Sequence, residues 1–130
     1  KFYTRAVGLG LSGTIFNGRA ALLSGGSTHH ELLLIQAGEA AGPLQGKRIG
    51  LYHVGWKVGN SVRELKAIYN RLNELGYPAD GLSDHTISQS IYLRDPDGNE
   101  VELYVDNPAY DWRNDDSWLE APVKPLNISD

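Results

Sequence analysis

Residues 88–105 read SQSIYLRDPDGNEVELYV, and this stretch decides the fold. Two alternating runs flank Asp95-Pro96-Asp97-Gly98-Asn99, a segment dense in turn formers. Pro presets φ, Gly accepts a positive φ, and Asp and Asn side chains bond the nearby backbone, so the stretch predicts a β-hairpin. In the second run Val101, Leu103 and Val105 share one face, and Glu102 and Tyr104 share the other. In the first run Ile91 and Leu93 oppose Ser90, Tyr92 and Arg94. One face of the hairpin is therefore apolar, and the other offers a carboxylate and a phenol. A Glu among strong strand formers either faces water or serves a site.

Upstream, Leu51–Val58 (LYHVGWKV) predicts a strand with Tyr52, Val54, Trp56 and Val58 on one face and His53, Gly55 and Lys57 on the other. Ser61–Leu75 predicts the clearest helix. Ser61 and Glu64 form a capping box, and Val62, Leu65, Ile68, Tyr69, Leu72 and Leu75 make an apolar stripe. Gly76 and Pro78 stop the helix. Ala79–Ser83 reads as a short strand or loop, and Asp84-His85 leads into the hairpin. Residues 51–105 thus read strand, helix, three strands.

The first 36 residues repeat most of that order. Lys1–Leu9 reads as the end of a helix, with Phe2, Ala6 and Leu9 at helical spacing and Gly8 and Gly10 as stops. Strands are expected at Leu11–Phe16, Arg19–Leu23 and His30–Gln36, joined by turns at Asn17-Gly18 and Gly25-Gly26-Ser27. Phe2-Tyr3-Thr4-Arg5 mirrors Ile68-Tyr69-Asn70-Arg71, an internal duplication with a period of about 65–70 residues. The first copy lacks its opening strand. The chain holds no methionine, so the expectation is that it is not the complete translated product. The organisation expected is one domain: an incomplete first module over 1–36, a linker over 37–50, a second module over 51–105 and a tail over 106–130. Residues 37–47 are rich in Gly and Ala and read as an exposed loop. In the tail Tyr110, Trp112 and Trp118 are expected to pin the segment to the body, and the last residues to fray.

Composition narrows the chemistry. A net charge of −4 leaves no broad basic surface for nucleic acid. The absence of cysteine removes disulfides, zinc–thiolate sites and thiol nucleophiles, so any metal must use His, Asp, Glu or Tyr. No apolar run reaches the roughly 20 residues that span a membrane. KFYTRAVGLG lacks the apolar core of a signal peptide, and the expected location is cytoplasmic.

The segment D84-H85 through S88, S90-IYLRDPDGNEVELY resembles the closing hairpin of the vicinal oxygen chelate superfamily. That group includes glyoxalase I, bleomycin-resistance proteins and extradiol ring-cleaving dioxygenases, and the resemblance is closest to small catechol 2,3-dioxygenase-like members. It implies an α+β fold of paired βαβββ modules whose mixed sheet curls around a cleft. Alternation then puts His53, Glu102, Tyr92 and Tyr104 on the cleft side. LYHVGWKV is similar to the family's opening strand, whose His is a metal ligand; the last-strand Glu, here Glu102, is another. Two His and one carboxylate arranged facially leave open positions on Fe(II) for substrate and dioxygen. The third ligand of the dioxygenase branch, a His on the first module's opening strand, falls about 13 residues before Lys1 in this register. Glyoxalase-like relatives use a carboxylate at the position of Glu31 as a further ligand. The resemblance implies proton transfer by His85 and substrate orientation by Tyr92.

Three functions follow from the resemblance. The leading one is an Fe(II) dioxygenase acting on a catechol-type small molecule. The second is a glyoxalase-like isomerase or lyase using Mn, Ni or Zn. The third is a non-catalytic aromatic-binding protein of the bleomycin-resistance type, using Trp56 and Trp112. Single-domain relatives pair, and an unpaired sheet edge invites a partner, so a homodimer is expected.

Overall fold

The structure is a computed structural model, and it describes residues 1–40, 42 and 49–128. The chain is α+β and divides into two compact units, Lys1–Ile49 and Gly50–Asp130.

In the first unit the expected helix end is a single wide turn, Tyr3–Val7. It closes through the Gly8 N–H to the Tyr3 carbonyl at 3.1 Å, with Gly8 at φ 95°. Three strands follow: β1 (Gly10–Ile15), β2 (Ala20–Ser24) and β3 (Leu32–Ile35). They pair antiparallel in the order β1-β2-β3. The β1–β2 turn takes four residues rather than two, because Phe16, Asn17 and Gly18 all adopt positive φ before pairing resumes at Ala20. β3 begins at Leu32, so His30 and Glu31 belong to the preceding connection and not to the expected strand.

The second unit opens with β4 (His53–Gly59), α1 (Val62–Glu74) and β5 (Gly81–Asp84). β6 (Ser88–Arg94) and β7 (Glu100–Asp106) form the predicted hairpin. The sheet order is β4-β7-β6-β5-β8, with β4 parallel to β7 and the remaining pairs antiparallel; β8 is Lys124–Pro125. Leu51 and Tyr52, expected in β4, precede it and are 77% and 81% exposed. The residues of the loop expected over 37–47 that lie at 41 and 43–47, and the terminal pair 129–130, fall outside the described residues.

Local chemistry fixes each element. Ser61 Oγ accepts the Glu64 N–H at 3.3 Å, and the Glu64 carboxylate accepts the Ser61 hydroxyl and the Asn60 N–H, both at 2.8 Å. Gly59 makes room for this box: a Cβ there would stand 3.0 Å from Glu64 Cβ. Gly76, at φ 76°, ends the helix, and the Tyr77 N–H reaches back to the Leu72 carbonyl. Asp95 organises the hairpin turn, its carboxylate accepting the Asp97 and Asn99 N–H groups and the Asn99 side-chain amide. Leu65 and Leu72 of α1 are fully buried where the helix packs on β4, β6 and β7. The sheet contributes Ile91, Leu93, Val101, Leu103 and Val105, all at most 1% exposed. The predicted alternation is thus realised on both hairpin strands.

The tail departs from expectation. Lys124–Pro125 pairs with β5, and Ile128 is buried, so residues 124–128 are not a frayed end. Trp112 is half exposed. Tyr110, one of the three aromatics expected to pin the tail, ties it to itself, its hydroxyl accepting the Trp118 N–H at 3.2 Å and meeting Ser117 Oγ at 2.9 Å. Among the described residues no helix is long and apolar enough to cross a membrane.

Candidate functional site

The face of the second sheet opposite α1 carries the polar residues that alternation selected. Register brings them together. Tyr92 pairs with Glu102 across β6–β7, and Gly55 pairs with Glu102 across β4–β7, with His53 opposite Glu100. The one shift in β4–β7 pairing lies between Lys57 and Gly59, beyond the site, so the parity of His53 and Gly55 holds.

Glu102 is the centre. Its Oε1 accepts the Ser90 hydroxyl at 2.6 Å and the Tyr92 hydroxyl at 3.0 Å. Its Oε2 lies 3.2 Å from His53 Nε2. Gly55 permits this approach, because a Cβ there would stand 3.3 Å from Glu102 Oε2 and 3.4 Å from the Tyr104 ring. The other ring nitrogen of His53, Nδ1, is buried without a hydrogen-bond partner and lies 3.3 Å from Glu100 Oε1.

His85 follows β5 at a turn held in an unusual conformation. Thr86 takes φ 71°, costly for a β-branched residue. Asp84 Oδ1 accepts its N–H, Lys124 Nζ donates to its hydroxyl, and Asn107 Nδ2 donates to its carbonyl. The turn so fixed directs His85 Nε2 to the Tyr92 hydroxyl at 2.8 Å, with Glu102 Oε1 at 3.8 Å. His85 Nδ1 bonds the Pro122 carbonyl, which only accepts, so that nitrogen carries a proton. Burial first, and the Glu102 charge second, push the Tyr92 phenol above its usual range. Tyr92 therefore stays a donor throughout the physiological range.

Of the residues expected from sequence, the structure gathers His53, Glu102, Tyr92 and His85. Glu31, in the first unit, accepts the Gly25 N–H at 2.9 Å within its own loop. His29 and His30 lie before β3, with their Nδ1 atoms 2.6 Å apart. Glu100, Ser90 and the Pro122 carbonyl complete the cluster without having been singled out. For Ser90 the signal was there, since alternation put it beside Tyr92. The Pro122 carbonyl has no sequence signature.

The donor set fits a divalent metal in part. Two donors bound about 2.1 Å from one ion at right angles sit roughly 3.0 Å apart; His53 Nε2 and Glu102 Oε2 are 3.2 Å apart. An imidazole and a carboxylate suit Fe, Mn, Ni or Zn. Among the described residues no third His, Asp or Glu completes a metal-holding group. A hollow of about 650 Å³ adjoins Glu102, lined also by Tyr104, Asp106, Trp112, Arg113 and Trp118.

Known proteins resemble this chain in sequence and in fold. The family model described as Glyoxalase/Bleomycin resistance protein/Dioxygenase superfamily matches residues 1–103. The chain is 38% identical over 85 residues to a catechol-2,3-dioxygenase of Bacillus subtilis (strain 168), covering 65% of this chain and 29% of that protein. It is 32% identical over 79 residues to biphenyl-2,3-diol 1,2-dioxygenase 2 of Rhodococcus globerulus, covering 61% of this chain and 41% of that one. The chain thus spans well under half the length of these relatives. Among solved structures, a lactoylglutathione lyase from Agrobacterium tumefaciens superposes with a TM-score of 0.57 at 24% identity, covering 80% of each chain. A possible glyoxalase from Bacillus cereus gives 0.56 at 24% identity, covering 78% of this chain and 81% of that one. These two likenesses speak for the fold alone. On the match over residues 1–103, the chain belongs to the glyoxalase/bleomycin resistance protein/dioxygenase superfamily.

Proposed function

We propose that this chain carries two of the metal-binding residues, His53 and Glu102, and the proton-handling residues of an extradiol-type dioxygenase acting on a catechol-type substrate, with Fe(II) as the resident metal. The observation that carries the reading is the convergence on Glu102: His53 Nε2 at 3.2 Å on one oxygen, Tyr92 at 3.0 Å on the other, and His85 at 2.8 Å from the Tyr92 hydroxyl. The identities to two proteins named as dioxygenases support it.

A divalent metal held by His53 and Glu102 would supply Lewis acidity to a catechol-type substrate and activate dioxygen. The protein's part is positioning and proton movement. Ser90 fixes one oxygen of Glu102 and leaves the other turned to His53. Tyr92 has one proton and two neighbours, Glu102 Oε1 and His85 Nε2. When His85 is protonated, both its N–H groups donate, to Pro122 and to the Tyr92 oxygen, and Tyr92 donates to Glu102. When His85 is neutral with its proton on Nδ1, Nε2 accepts from Tyr92 or from a substrate hydroxyl. His85 therefore takes a substrate proton and returns it, and Tyr92 orients the substrate oxygen. Exposed apolar residues on β1 and β3, Leu11 and Ile35 each at 59%, support association into a homodimer.

The test is oxygen consumption coupled to loss of catechol ring absorbance, with Fe(II) supplied anaerobically. His53→Ala is expected to abolish turnover, and His85→Asn to slow it about a hundredfold while metal stays bound. Turnover of a hemithioacetal but not of catechol would instead favour the isomerase.

A further inference from the structure

The tail after β7 builds one wall of the hollow beside Glu102, and its chemistry is specific. Arg113 lies over the Trp112 ring, its guanidinium carbon 4.3 Å from the ring centroid. A guanidinium over an indole face is held there by the ring's electrostatics, and its N–H groups remain available to an anion. Among the described residues no carboxylate pairs with Arg113 within 4.0 Å. The segment is held in place: Asn107 is bonded to Ile87 and Thr86 of the β5–β6 turn, Asp111 accepts the Arg113 N–H and the Asn114 amide, and Tyr110 clasps Ser117 and Trp118.

The acidic groups that line the hollow, Asp106 and Glu102, do not pair with this cation. Asp106 is already paired with Lys57 Nζ at 2.7 Å. Glu102 takes its hydrogen bonds from Ser90 and Tyr92. Tyr104 and Trp118 add apolar surface to the same hollow, whose volume of about 650 Å³ suits a substituted aromatic molecule.

We propose that Arg113, stacked on Trp112, is a carboxylate-recognising subsite, and that the ligand of this site is an aromatic ring bearing a carboxylate. The acidic substituent pairs with the Arg113 fork while the ring lies against the aromatic wall. This deepens the catechol reading above and rests on it for the orientation of the ring, but binding at the subsite needs no metal.

The experiment is a titration of the full chain, as purified and again with chelator, using benzoate and its neutral isostere benzamide. Tryptophan fluorescence and indole N–H shifts report occupancy. Benzoate is expected to bind about tenfold tighter than benzamide, with added NaCl weakening it. Arg113→Gln abolishes the preference, and Arg113→Lys, which keeps charge but loses the fork, retains a fraction of it. Equal binding of the two probes, no binding of either, or a preference that survives Arg113→Gln overturns the proposal. Outcomes separate from the reading above. Catechol turnover without a carboxylate preference removes only the subsite. A carboxylate preference in a chain that binds no metal removes the dioxygenase and leaves a carboxylate-binding protein.

Discussion

Replacing Tyr92 with Phe removes one hydroxyl from the middle of the polar cluster and nothing else. The ring keeps its place between Glu102 and His85, so no cavity opens. Two contacts are lost: the donation to Glu102 Oε1 at 3.0 Å and the contact with His85 Nε2 at 2.8 Å. A hydrogen bond to a charged group contributes about 1.5–3 kcal/mol. Glu102 keeps the Ser90 bond at 2.6 Å and its side chain is 13% exposed, so water replaces part of the loss. The expected destabilisation is about 1–2 kcal/mol, or several degrees in Tm. Urea unfolding followed by circular dichroism measures it, and a double-mutant cycle with Glu102→Gln isolates the coupling at about 1 kcal/mol. The pH dependence has a definite sign. Burial and the Glu102 charge raise the folded-state pKa of Tyr92 above its unfolded value near 10. Between those two values the unfolded chain binds fewer protons, so the contribution of Tyr92 is fully present below about pH 10 and declines above it. Wild-type stability should therefore fall more steeply than that of Tyr92→Phe above pH 10. Coupling indistinguishable from zero, together with parallel pH curves, would refute the arrangement described for Glu102.

Leu103→Ala empties a site that is 0% exposed between α1 and the sheet, and should cost about 2–5 kcal/mol by chemical denaturation. Ser61→Ala removes the cap of α1 and should cost about 1 kcal/mol. Hydrogen bonds from Asn60 and Ser61 hold the Glu64 carboxyl below its usual range, so the capping box helps above the ordinary Glu pKa and is lost as pH falls through the lowered one; the gap between wild type and Glu64→Gln should narrow on acidification. Gly55→Ala places a methyl 3.3 Å from Glu102 Oε2 and should weaken divalent-metal binding about tenfold while leaving the circular dichroism spectrum unchanged.

Much of this was legible in residues 88–105, because a two-residue period needs no tertiary information. Val101, Leu103 and Val105 went to the core, and Glu102 and Tyr92 to the opposite face, as alternation required. The capping box at Ser61 and the stop at Gly76 likewise depend on near neighbours only. Failures came where distant residues decide. Nothing in the local sequence says that Lys124–Pro125 will pair with β5, or that the Pro122 carbonyl will meet His85. The start of β4 was placed too early, at Leu51, because apolar character begins ahead of the first paired residue; the start of β3 was placed too early, at His30, where no local signal separates His30-Glu31 from the strand. Gly55 looked like an ordinary strand glycine until the Glu102 carboxylate was seen lying against it.

We propose above that His53 and Glu102 hold one divalent ion between them. Mn(II), added to the isotope-labelled full chain, broadens NMR signals near wherever it binds. Selective broadening of His53, Gly55 and Glu102 is expected at low Mn(II), and its loss in His53→Ala and Glu102→Ala while the remaining spectrum is unchanged. Broadening centred elsewhere, or broadening at these residues that survives His53→Ala, would contradict it.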